Sequence, residues 1–91
     1  MHTVELLDKA ISVAQELGYR VRHEWLGGAN GGACEFRGRK WMFVDLALNA
    51  TEQLDQILQA LRTDPAIHLV GLTPEMKRLL GFYASYQQRM N

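Results

Sequence analysis

The run Lys40 to Leu46, Lys-Trp-Met-Phe-Val-Asp-Leu, does most to constrain the fold. In a strand, side chains alternate with period two, so Trp41 and Phe43 point one way and Met42, Val44 and Leu46 the other. Both sides are then apolar, the pattern of a strand covered on both faces. The chain must supply something to lie against each. The preceding run from Ala33 to Arg37 sorts Cys34 and Phe36 to one side and Glu35 and Arg37 to the other. Gly38 supplies the permissive backbone of a short turn, so the two runs read as a hairpin.

The other elements follow from periodicity and punctuation. Val4, Leu7, Ile11 and Ala14 form a helical stripe within residues 3–17, with Thr3 as N-cap and Gly18 as the left-handed terminator. Residues 19–26 alternate Tyr19, Val21, His23 and Trp25 against Arg20, Arg22 and Glu24, a half-buried strand. The glycine-rich stretch Gly27 to Gly32 then reads as a hairpin connection between two strands. Asn49 with Glu52 has the spacing of a capping box, and the helix 50–62 carries the stripe Leu54, Ile57, Leu58 and Leu61 up to Asp64-Pro65. Residues 63–72 read as a connection with a short extended piece. Thr73-Pro74-Glu75 opens a third helix carrying Met76, Leu79, Leu80 and Tyr83, with Gly81 in its middle. These elements predict an α+β fold of order α-β-β-β-α-α: a three-stranded antiparallel sheet with the first two helices packed on one face.

At 91 residues the chain suits one domain, 1–91, with one modest core. Ten basic residues balance ten acidic ones, so no net charge draws the whole molecule to nucleic acid or anionic membrane. No apolar run reaches membrane-spanning length, and the N-terminus lacks a signal-peptide pattern. With a single cysteine there is no internal disulfide, and a cytoplasmic location is expected.

Cys34, His23 and Asp45, all on strands, are the candidate site residues, since together they sketch a nucleophile, a base and its orienting acid. Against that sketch, Cys34 alternates with Phe36 and reads as a shielded core side chain. His2, His23 and His68 are scattered without metal-ligand spacing, so neither metal nor cofactor is expected. The Gly27 to Gly32 loop lies between strands, not before a helix that would meet a phosphate. Residues 20–40 hold five basic residues against two acidic. Arg20, Arg22, Arg37 and Arg39 with Trp25 and Trp41 nearby suggest a nucleic-acid surface, but Glu24 and Glu35 among them argue for self-pairing, and nucleic-acid binding is not expected.

Leu26-Gly27-Gly28 through Gly31-Gly32-x-Cys34, then Gly38-x-Lys40, Asp45-Leu46 and Glu52-Gln53-Leu54, resembles a set of small uncharacterised bacterial α+β proteins, covering about half the chain. That resemblance implies a bacterial cytosolic domain and carries no catalytic residues. The order of glycine loop, Cys-containing hairpin and helix is also similar to minimal zinc peptidase domains, but the helix reads Ile57-Leu58-Gln59-Ala60-Leu61 where those carry His-Glu-x-x-His. The leading expectation is a protein-interaction or homo-oligomerisation module without catalysis. Phe82, Tyr83, Tyr86 and Met90 of the third helix would form a homodimer contact. An enzyme or small-ligand domain using the glycine loop with Cys34 and Asp45 is the alternative, and nucleic-acid binding through the arginines is third.

Overall fold

The computed structural model describes residues 2–28 and 31–82. The first helix, α1 (Thr3–Glu16), already includes its expected cap, Thr3, so the cap falls one residue earlier: His2 is the N-cap and makes no side-chain bond there. Its other end follows expectation. Gly18 has φ +95°, and the amides of Gly18 and Tyr19 donate to the carbonyls of Gln15 and Ala14, a Schellman arrangement that turns the chain into β1 (Arg20–Glu24).

The second strand, β2 (Gly32–Phe36), and the third, β3 (Arg39–Asp45), form the expected hairpin. Its two-residue turn has positive φ at both Arg37 (53°) and Gly38 (76°), the mark of a type I′ turn whose twist matches the flanking strands. The sheet order is β1-β3-β2, with β1 parallel to β3 and β2 antiparallel to it. The sheet is therefore mixed, and the expected all-antiparallel arrangement is corrected. The glycine loop is likewise no hairpin connection, because β1 and β2 are not neighbours and it crosses the end of β3. Physically, the most apolar strand takes the centre, and the strand bearing Arg20, Arg22 and Glu24 takes an edge, where charge is tolerated.

The second helix, α2 (Ala50–Thr63), carries the full capping box: Asn49 Oδ1 accepts from the Glu52 amide at 2.9 Å, and Glu52 Oε1 accepts from the Asn49 amide at 3.0 Å. Leu54, Ile57, Leu58 and Leu61 are all buried, as the stripe requires. A 3-10 turn, Pro65–Leu69, replaces the expected extended piece, because Asp64 caps it as well as ending α2. The last described helix, α3 (Pro74–Leu79), starts at its Thr73 cap and ends early: Gly81 has φ +86° and lies beyond the helix end, not in its middle.

Helices α1 and α2 pack together on the face of Met42 and Val44, and α3 joins them through Met76. The buried side chains make one cluster that includes Val13, Met42, Ile57, Leu61, Ile67 and Met76. Arg62 of α2 donates to the carbonyls of Leu79 and Leu80, so a residue of α2 closes the end of α3. The box at Asn49 yields a direct test. Asn49→Ala should cost about 1 kcal/mol of unfolding free energy in a urea titration, and a loss below a few tenths would show the cap to be dispensable.

Candidate functional site

Register fixes what the sheet's other face carries. Cross-strand partners share a side, so Arg20, Arg22 and Glu24 of β1 stand with Trp41 and Phe43 of β3 and with Cys34 of β2, while Phe36 pairs with Arg39. The described helices all pack on the opposite face. Trp41 and Phe43 lie with ring centroids 6.2 Å apart and planes 18° from parallel. The Arg20 guanidinium sits 5.8 Å from the Trp41 ring centre, and that of Arg37 sits 5.1 Å from the Phe36 ring. Phe36 is 51 % exposed. Arg22, Cys34, Phe36, Trp41 and Phe43 line a shallow hollow of about 290 Å³.

The three sequence candidates do not converge. Cys34 is exposed on this outer face, which corrects the expectation of a shielded core thiol: the apolar side of β2 continues the side of β3 turned away from the described helices. His23 shares the helix-side face with Val44 on the opposite edge strand, and its residue is exposed. Asp45 is 0 % exposed at the end of β3. Its Oδ1 accepts from the amides of Leu26 at 3.0 Å and Ala47 at 2.9 Å, and its Oδ2 accepts from Gly28 at 2.6 Å. Burial pushes the Asp45 carboxyl up, but the three amide bonds outweigh it and hold the group below its ordinary value. The loop amides of Leu26 and Gly28 thus face the protein's own carboxylate, the position a bound anion would take in a backbone nest.

A polar cluster that periodicity did not reveal lies on the helix side. Lys40 Nζ donates to Asp64 Oδ2 at 2.7 Å and to the Leu17 carbonyl at 3.1 Å, and it sits 4.3 Å from the Tyr19 ring centre. Tyr19 donates its hydroxyl to the same Asp64 oxygen at 2.7 Å. Burial, then the hydrogen bond and charge of Asp64 and the charge of Glu35, push the Tyr19 hydroxyl up to about 12. Burial also raises Asp64, yet the bonds from Lys40, Tyr19 and the Ala66 amide bring it below its usual value. Helix α1 has no basic residue in its last turn, and Lys40 brings a cation to that end from the sheet. The cluster ties α1, β3 and the end of α2 together, and each of its groups has a partner. Two signals pointed to it in the sequence: a lysine in the Met42 and Val44 alternation, and an aspartate before a proline.

The arginine segment is also divided differently from expectation. Arg22 pairs with Glu24 at 2.9 Å, but Glu35 stands opposite Lys40 on the helix side. Of the expected dimer residues, Phe82 packs against its own core and its ring lies 4.8 Å from that of His68. Tyr83, Tyr86 and Met90 lie outside the described residues. Among the described residues no three His, Cys, Asp or Glu side chains are placed to hold a metal ion, and no helix is long and apolar enough to cross a membrane. No protein family, curated protein or solved structure matches the chain.

The two buried aspartates make acid stability testable. Their folded-state values lie below the unfolded value of about 3.9, so their contribution is present above that pH and is lost as pH falls through the folded values. Urea unfolding between about pH 6 and pH 2 should show this loss. Asp64→Asn should be weaker at pH 6 and flatter below it, and an unchanged acid limb in Asp64→Asn would assign the loss to other carboxylates.

Proposed function

We propose that this protein is a non-catalytic cytoplasmic binding module, akin to the small bacterial α+β proteins its glycine loop and hairpin resemble, and that its partner docks on the face of the sheet turned away from the described helices. The observation that carries this reading is the group Phe36, Trp41 and Phe43, standing opposite the packed helices with Arg20 and Arg37 against their rings. Aromatic and arginine side chains gathered on one surface patch have the composition of interface centres. The enzyme or ligand-loop alternative has less support, since Asp45 is committed to three amides and stands apart from Cys34 and His23.

Homodimerisation is the second reading, favoured by the same exposed Phe36 and half-buried Trp41 and Phe43. Charge weighs against a face-to-face twofold pair: Arg20, Arg22 and Arg39, with Arg37 against the Phe36 ring, outnumber Glu24 and the buried Asp45 by two on each face, and symmetry would bring two such faces together. A partner carrying negative charge meets no such repulsion.

The double substitution Phe36→Thr/Trp41→Thr keeps residues suited to strands while removing the aromatic surface. Its unfolding free energy should stay within about 1 kcal/mol of the parent, while partner capture by the immobilised protein from source-cell extract should disappear. A loss above about 3 kcal/mol, or undiminished capture, would count against the face. Light scattering at micromolar concentration decides the second reading: a dimer gives twice the chain mass and the substituted chain gives the monomer mass.

A further inference from the structure

We propose that the ligand of the sheet face turned away from the described helices is single-stranded nucleic acid, with Trp41 and Phe43 as neighbouring stacking platforms and Arg20, Arg22, Arg37 and Arg39 meeting phosphates. The inference rests on the binding-module reading above and names its partner. Its first support is the aromatic pair. The two rings lie 6.2 Å apart and within 18° of parallel, so they offer adjacent flat surfaces. Unpaired bases have faces free to stack on such rings, whereas a duplex keeps its base faces within its own stack.

The second support is the partition of charge. In the sequence, Glu24 and Glu35 both lie among the arginines, which argued for a self-neutralised surface. The register turns Glu35 to the helix side, where it stands opposite Lys40, and leaves on the aromatic side Glu24 and its cross-strand partner Asp45, the latter buried and bonded to three backbone amides. Four arginines remain there, two of them held against rings, so guanidinium groups and planar surfaces occupy the same patch. A phosphodiester chain presents that pairing repeatedly: one negative charge and one flat ring per unit.

Size and chemistry agree with this occupant. The hollow of about 290 Å³ formed by Arg22, Cys34, Phe36, Trp41 and Phe43 is at the lower limit for a small-molecule pocket and suits one planar ring. The strand residues of this face include no Asn, Gln, Ser or Thr, and with the arginines meeting phosphates and the rings stacking on bases, binding is tolerant of sequence. The neutral charge of the whole chain limits long-range attraction, so binding rests on the local patch.

The test is fluorescence anisotropy with a labelled oligothymidylate of about twelve nucleotides, a duplex of equal length, and an acidic peptide containing glutamate and phenylalanine. The oligothymidylate should bind, and four phosphate contacts give a log-log salt slope of about −2.8, or on the order of 300-fold weakening between about 20 and 150 mM salt. The duplex should bind at least about tenfold more weakly. Trp41→Ala and Phe43→Ala should each weaken binding at least about fivefold, and Arg22→Gln should make the salt slope shallower by about 0.7. Cys34 offers a readout in the unaltered chain: saturating oligothymidylate should slow its labelling by a maleimide. Absence of oligothymidylate binding, or binding that ignores Trp41→Ala and leaves Cys34 labelling unchanged, overturns the proposal. If the acidic peptide alone binds and protects Cys34, nucleic acid is excluded while the binding face stands. Failure of the face itself is seen separately, as unfolding of Phe36→Thr/Trp41→Thr.

Discussion

The carboxylate of Asp45 accepts hydrogen bonds from three backbone amides, two of them in the glycine-rich segment that leaves β1, and the strand order depends on that anchorage. A chain leaving an edge strand has two choices: turn back on itself or pass the neighbouring strand end. The amides of Leu26 and Gly28 would lose water in passing over β3, and Asp45 is the acceptor that meets them there. Gln53 reinforces the same corner by donating to the carbonyls of Asp45 and Leu48, so the end of β3, the crossing loop and the start of α2 are held as one unit.

Fixing β3 between two partners decides how the molecule's two sides differ. Its Met42 and Val44 side receives the described helices and the Lys40 cluster, while its Trp41 and Phe43 side faces away from them. The arginines of β1 and the apolar residues of β2 come to the latter side by register alone. A hairpin of β1 with β2 would have separated Arg20 from Trp41. The mixed topology therefore makes the aromatic and basic patch, and the functional reading inherits its strength from that topology.

Local signals were legible where one short stretch contained both cause and effect. Asn49 with Glu52, Gly18 after Leu17, Thr73 with Pro74, and Gly38 in its turn each specify a terminus through bonds spanning a few residues. Strand adjacency was not legible, because alternation assigns a residue to a side and says nothing about which strand lies next to it. The same gap explains Cys34. Its pairing with Phe36 on one side was read from the sequence, but equating that side with the interior required knowing which side of β3 it would extend. The partnership of Tyr19, Lys40 and Asp64 joins residues from three elements, and no periodicity within one element contains it.

The bonds from Arg62 to Leu79 and Leu80 bear on the order in which the chain opens. A helix of six residues is far below the length that persists alone in water, so α3 owes its shape to its cap, its packing and this guanidinium from α2. Any excursion that displaces the end of α2 takes away the acceptor-binding group that α3 needs, whereas α3 can detach with the α2 capping box intact. Local opening is thus hierarchical: α3 is the outermost layer of a nested set, free to fray before α2 but never to remain formed after it.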